Sequence, residues 1–198
     1  MFVQIIEGRA ADVDGMRVLM ERWMQELRPG AAGYLGTTGG VTPDGRAIAI
    51  VRFESPDAAR ANSDRAEQGA WWSEMEKCYD GDVSFAETED VQTLLDGGSD
   101  QAGFVQVMKV HGLDRESVRR LDALFEEHAP AYRPDIIGGL RAWTSADGGY
   151  DVTYFTSEAD ARAGESKPMP PPFDDVAADL ERFMANTEFF DLPDPWIF

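Results

Sequence analysis

The chain contains a single cysteine, Cys78, in 198 residues, so no disulfide can form within it and packing alone must make its core. Histidine is nearly as scarce. His111 and His128 are the only two, and nothing in the chain has the Cys/His spacing of a metal site. No stretch approaches the roughly 20 apolar residues of a membrane-spanning helix. The opening MFVQIIEG lacks the basic start and apolar run of a secretory signal, so a cytoplasmic, soluble protein is the expectation. Basic side chains are few, 18 against 37 acidic ones, for a formal charge of −19. That balance repels phosphate backbones and anionic lipid surfaces at long range, so neither nucleic acid nor membrane is expected as a partner.

What the sequence does contain is itself, twice. FVQIIEG at Phe2–Gly8 is echoed by FVQVMKV at Phe104–Val110, 102 positions on. At the same spacing Leu19 meets Leu121, Trp23 meets Phe125, Phe53 meets Phe155, Ser55 meets Ser157, Ala59 meets Ala161 and Arg60 meets Arg162. Matches at one offset over much of each half indicate duplication of a unit of about 100 residues.

Each half reads in one order. An apolar strand precedes a helix, whose stripe is Val13, Met16, Leu19, Met20, Trp23, Met24 and Leu27 in the first copy and Val118, Leu121, Leu124 and Phe125 in the second. RPGAAGYLGTTGG and YRPDIIGGLRAW lead into a second strand, and Asp44–Gly45 and Asp147–Gly148 turn into a third. Ser55 and Ser157 are N-cap candidates for a second helix, which the pattern divides near Gly69 in one half and interrupts at PMPPP in the other. Short strands near Val83–Glu87 and Glu188–Leu192 close each half. The order β-α-β-β-α-β, twice, is the ferredoxin-like arrangement, with residues 1–90 and 103–198 as the repeats and 91–102 as a linker. The strands are apolar on both sides, so the sheet face away from the helices also needs cover. Two sheets packed face to face within one chain would supply it.

On FVQIIEG, VRFESPDAAR, the Trp71–Trp72 pair and this element order, the chain resembles the dimeric α/β barrel superfamily, specifically a tandem antibiotic-biosynthesis-monooxygenase-like domain. The resemblance implies an α+β fold in which two ferredoxin-like repeats form an intrachain dimeric α/β barrel, as a monomer with pseudo-twofold symmetry or a homodimer. It implies a ligand cavity between helices and sheet. Members of the superfamily include cofactor-independent oxygenases of aromatic polyketides and haem-degrading enzymes. The haem-degrading members carry an axial histidine on the second helix, and neither second helix here contains one, so no cofactor is expected.

The candidate site residues follow. Gln4 and Gln106 interrupt apolar first strands at equivalent positions, where the oxygenase-like members carry a polar residue, usually asparagine. An amide there can orient a carbonyl or phenolate. His111 is the candidate acid–base group. Trp71 and Trp72, diverging by about 100 degrees on a helix, offer flat apolar area to an aromatic substrate, one of them packing and the other lining the cavity. The glycines around Tyr34 make no phosphate-binding fingerprint and read as a mobile loop. Tyr34 in that loop, and Tyr132 in the other half, could close over a ligand. Trp23, Trp143 and Trp196 read as packing residues. The expected partner is a hydrophobic small molecule, with cofactor-independent oxygenation of a phenolic or polyketide-like substrate as the leading chemistry. Two alternatives are a non-catalytic ligand-binding or stress-related protein, and an interaction protein exposing an apolar patch at the terminal WIF or PMPPP.

Overall fold

Asp12 and Asp114, 102 positions apart, each accept a hydrogen bond from the backbone N–H three residues on, Gly15 at 2.9 Å and Ser117 at 2.8 Å. Ser55 and Ser157 do the same for Ala58 and Asp160. Each cap satisfies an amide that the first helical turn leaves without a carbonyl, so equivalent points of the two halves start equivalent helices. These contacts belong to a computed structural model that describes the backbone of residues 1–198 and the side chains of 1–171 and 173–198.

The first half runs β1 (Phe2–Arg9), α1 (Val13–Arg22), β2 (Tyr34–Val41), β3 (Arg46–Phe53), α2 (Pro56–Ser63), α3 (Ala66–Met75) and β4 (Ser84–Thr88), and is followed by β5 (Val91–Leu94). The second runs β6 (Phe104–Val110), α4 (Arg115–Tyr132), β7 (Ile136–Trp143), β8 (Gly149–Phe155), α5 (Glu158–Glu165), α6 (Ala177–Ala185) and β9 (Thr187–Leu192), and ends in β10 (Trp196–Ile197). Two antiparallel sheets result, ordered β10-β2-β3-β1-β4 and β5-β7-β8-β6-β9. The fold is α+β, and strands β2-β3-β1-β4 and β7-β8-β6-β9, each set with its helices, make one ferredoxin-like repeat apiece.

The two compact units are residues 1–90 with 194–198, and residues 91–193. Residues 91–102, expected as a linker, begin with β5, which pairs with β7 in the second unit. The chain's last strand, β10, pairs with β2 in the first unit. Each added strand covers the backbone edge that β2 or β7 would otherwise expose. With four residues and two, they are too short to show an alternating pattern.

In β1 the alternation places Phe2, Gln4 and Ile6 on the helix side, where Phe2 meets Ala59 of α2. Val3, Ile5, Ile48 and Ile50, on the sheet's other face, are buried as well. The second unit repeats this with Phe104 against Ala161 on the helix side and Val105, Val107 and Val152 buried on the other. No helix among the described residues is long and apolar enough to cross a membrane.

Three local features depart from the sequence reading. The glycine-rich stretch after α1 is a loop only to Gly33, because β2 begins at Tyr34 and pairs along its length with β3. Gly36 sits at the bulge with φ +148°, where a Cβ would come within 2.6 Å of Arg52 and 2.7 Å of the Phe198 carbonyl. Glycine here permits close approach rather than motion. α1 passes into a π-helical turn over Trp23–Leu27, whereas α4 stays α-helical through the equivalent positions. The second helix breaks at Asp64–Arg65, not at Gly69, which lies inside α3. Arg65 leaves helical geometry there, and its Nη1 donates to the Leu27 carbonyl at 3.0 Å and to Asn62 Oδ1 at 2.9 Å. One guanidinium thus satisfies the last carbonyl of the π turn and ends α2. Replacing Arg65 by Met should cost about 1–3 kcal/mol, the penalty of a partly buried carbonyl left unpaired. Urea denaturation would measure it, and an unchanged midpoint would show that water replaces the guanidinium there.

Candidate functional site

Trp23 opens the π turn, its backbone N–H still donating to the Leu19 carbonyl of α1, and its ring lines the interior beneath the helices; π turns of this kind often accompany function. Trp23 Nε1 donates to Gln68 Oε1 on α3 at 2.6 Å. Trp71, also on α3, donates from its own Nε1 to the carbonyl of Leu19 at 2.8 Å, near the end of α1. Two indoles are thereby held in place from opposite helices, each with its one donor satisfied.

Around them the rings form a continuous arc. Phe53 lies 5.8 Å from Tyr34, Tyr34 4.7 Å from Trp23, and Trp23 6.4 Å from Trp71 (centroid to centroid). Trp71 in turn lies 6.2 Å from Trp72, and Trp72 lies 5.3 Å from Phe85 on β4 and 6.3 Å from Tyr79. Between this arc and the helix-side face of the first sheet is a cavity of about 280 Å³. Ile6, Val51 and Ala49 floor it, Met16, Met20 and Met75 line its helix side, and Trp196 of β10 and Phe85 of β4 stand at its two strand edges. Phe85 is 52 % exposed, which puts an aromatic edge at the rim.

The polar groups in the wall are few and neutral. Gln4 faces in from β1, and its Nε2 donates to Glu87 Oε1 at 2.7 Å. Tyr34 donates to Thr37 Oγ1 at 2.7 Å. Burial raises the hydroxyl pKa of Tyr34, and it pushes that of Tyr79 up to about 12. Both phenols therefore stay protonated near neutrality and serve as hydrogen-bond donors, not as bases. Among the described lining residues there is no Asp, Glu, His, Lys or Arg.

Of the residues singled out from sequence, the cavity brings together Gln4, Tyr34, Trp71 and Trp72. Both tryptophans of the pair line it, Trp71 from the buried side and Trp72 half-buried. Tyr34 is anchored on a strand rather than carried on a loop. Gln106, Tyr132 and His111 lie in the second unit. Gln106 is buried on β6 and donates to Asp191 Oδ1 at 2.8 Å, mirroring the Gln4–Glu87 bond. Tyr132 donates to the carbonyl of Pro168 at 2.6 Å, tying the end of α4 to the following segment. His111 is exposed just past the end of β6 and lines neither Gln4's cavity nor the Gln106 position. Cys78 is buried and its thiol is pushed up by burial, away from reactivity. The sequence reading gave Trp196 and Met20 only packing roles, and it did not single out Gly39 or Ala49; for a role in the site, Trp196 left no signal, unlike Met20, Gly39 and Ala49. Only the repeat alignment carried a signal for the last three.

That signal appears in the second unit. Position for position at an offset of 102, Met20, Gly39 and Ala49 correspond to Asp122, Arg141 and Asp151. These three are buried and bonded to one another: Arg141 Nη2 donates to Asp151 Oδ2 at 2.9 Å, and Nη1 bonds Asp122. Burial opposes the Arg141 charge, but the two carboxylates outweigh it and hold its pKa above the ordinary value. Burial likewise raises Asp151, with Arg141 pulling against it. Where the first unit keeps an apolar cavity, the second has a closed ionic cluster.

Haem does not fit the cavity: among the described lining residues there is no histidine to ligate iron and no cationic side chain to meet the propionates. The wall is uncharged and mainly apolar.

No family model matches the chain, and no curated protein matches it. Solved structures do. A candidate monooxygenase from Fusobacterium nucleatum aligns with TM-score 0.72 at 11 % identity over 99 % of this chain and 93 % of its own. A candidate monooxygenase from Lactobacillus acidophilus aligns at 0.69 and 10 % identity over 100 % and 98 %. An anthrone oxidase-like protein aligns at 0.63 and 12 % identity over 99 % and 93 %. The likeness is one of fold, and it extends over both repeats.

Two measurements test this picture. Replacing Arg141 by Met leaves two buried carboxylates without a counter-charge and should cost about 3–5 kcal/mol in denaturant unfolding. Asp151, already raised by burial, would lose the guanidinium that pulls its carboxyl down. The loss should therefore be largest near neutral pH and shrink as the pH falls through the folded-state values, since protonated carboxyls carry no charge. In alkaline titration followed by near-ultraviolet absorbance, Tyr79 should ionise at about 12, and its contribution to stability should disappear as the pH rises from the ordinary phenol range of about 10 toward that value. Tyr79→Phe should remove the transition at that pH.

Proposed function

We propose that the first unit binds a flat, largely apolar aromatic molecule of phenolic or polyketide-like type, one per chain. The observation that carries this reading is the arc of tilted and edge-on rings enclosing a cavity whose wall holds amides, hydroxyls and phenols but no charged side chain. Its volume of about 280 Å³ is near the lower end of the roughly 300–1,000 Å³ of small-molecule pockets. Two or three fused rings are the scale of ligand it suits. The second unit's ionic cluster occupies the equivalent interior, which supports a single site.

A second reading, oxygenation of such a ligand without a cofactor, is favoured by Gln4, whose amide faces the cavity from the first strand, and by a fold shared with an anthrone oxidase-like protein. For an anthrone the balance is simple. The ring methylene loses its two hydrogens, one oxygen atom of O₂ becomes the new carbonyl and the other leaves as water. The first proton must leave a substrate that is itself acidic, because no carboxylate or imidazole lines the cavity. Gln4 and the protonated phenols would favour the enolate by hydrogen bonding to its oxygen.

Titrating the protein with 1-naphthol, followed by tryptophan fluorescence, should give saturable binding at one per chain. Ala49→Phe, which fills the floor, should abolish it, and Trp72→Ala should weaken it about ten-fold. Absence of saturable binding would overturn the binding reading. With anthrone, the protein should accelerate oxygen uptake, and Gln4→Leu should lose that acceleration while still binding 1-naphthol. Uptake equal to the protein-free rate would remove the oxygenation reading and leave the binding one.

A further inference from the structure

All but one of the side chains around the cavity come from residues 1–90; the exception is Trp196, which the chain delivers from its far end. Trp196 pairs with Gly39 of β2, and the next turn of the ladder is closed by Phe198 and Thr37, which exchange two backbone hydrogen bonds of 2.9 Å. Arg17 of α1 holds this tail twice. Its guanidinium pairs with Asp194 and lies over the Trp196 ring, 5.4 Å from the centroid. Arg17 itself does not line the cavity.

The second unit shows what this position is for. There the added strand pairs Gln92 with Arg141, the counterpart of Gly39, and the Gln92 amide reaches Asp122 at 3.5 Å. At the same place in the fold, one added strand gives an amide to a charged interior and the other gives an indole to an apolar one. The side chain matches the interior it meets. Trp23 and Trp71 are pinned by hydrogen bonds from their indole nitrogens, whereas among the described residues no hydrogen bond holds the indole nitrogen of Trp196. Like Trp72, whose indole nitrogen also has no hydrogen bond among the described residues, its ring has freedom to adjust to an occupant.

We propose that Trp196 is a ligand-contacting, specificity-determining residue that stacks against a flat aromatic molecule, and that occupancy of the cavity in turn holds the C-terminal strand against β2. This rests on reading the cavity as a small-molecule site. The coupling runs both ways by necessity: if the docked strand strengthens binding, the ligand strengthens docking of the strand by the same factor.

The test uses the full chain with 1-naphthol as probe. Trp196→Phe should bind within about three-fold of wild type, and Trp196→Ala and Trp196→Gln should each bind about ten-fold more weakly or worse. Arg17→Ala should show a smaller loss in the same direction, restored by Arg17→Lys, which keeps a cation over the ring. In the wild type, saturating 1-naphthol should slow release of Phe198 by carboxypeptidase; in Trp196→Ala it should not. If Trp196→Ala and Trp196→Gln bind as tightly as wild type while Ala49→Phe does not bind, Trp196 merely packs the strand and this inference falls, with the site intact. Failure of the wild type to bind would overturn both readings together. Should Trp196→Ala not fold, carboxypeptidase protection of the wild type decides, and its absence would overturn the inference.

Discussion

The register between the first and third strands of each repeat is the constraint from which the rest follows. Phe2 stands opposite Phe53, Gln4 opposite Val51 and Ile6 opposite Ala49, and in the second copy Phe104 stands opposite Phe155, Gln106 opposite Thr153 and Met108 opposite Asp151. A slip of one residue would turn every one of these side chains to the other face of the sheet. Because both faces bury apolar residues, such a slip would put Gln4 where Val3 or Ile5 is buried, at the cost of an amide without its carboxylate partner. The register therefore decides which residues meet under the helices. At positions 39 and 49 of the first unit those are glycine and alanine, and at 141 and 151 of the second they are arginine and aspartate.

The two interiors are different solutions to the same geometric problem. Glycine and alanine at positions 39 and 49 leave room that Met20 and the aromatic arc enclose without filling. Arginine and aspartate at positions 141 and 151, with Asp122 from the helix, occupy the equivalent room and satisfy one another. A buried ion cluster is costly to desolvate and adds little net stability over well-packed apolar residues, but it is strongly destabilised when one partner is lost. The second unit thus carries an interior that cannot easily reopen. The first can keep a cavity, at the cost of packing contacts along its lining. A chain carrying 37 acidic side chains nevertheless keeps every one of them out of that lining.

Much of the candidate site could be read before any coordinates were known. Gln4 stood out as a polar residue in an apolar strand repeated by Gln106, and the Trp71–Trp72 pair as adjacent rings that cannot share one helix face. Tyr34 was visible as an aromatic among glycines, though its place on a strand was not, because the pairing that orders Tyr34–Val41 comes from β3. His111 drew attention as one of only two histidines. Its position just beyond the end of β6 leaves it exposed, away from both interiors. Trp196 read as a packing residue because nothing in LPDPWIF says which sheet it joins. A two-residue strand has no periodicity, and its partner lies more than 150 positions away in sequence.

By itself the sequence determined the duplication, the order of elements in each copy, the caps that start the helices and the apolar character of both sheet faces. These depend on local propensity and on period, which neighbouring residues carry. Only the tertiary structure decided that the glycine-rich stretch is a strand, that α1 ends in a π turn and that β5 and β10, each following one repeat, pair with the edge of the other. It alone decided that positions 20, 39 and 49 converge on a cavity while positions 122, 141 and 151 converge on an ion cluster. Each of those outcomes depends on side chains far apart in the chain coming to share one volume, and no local pattern in the sequence encodes that meeting.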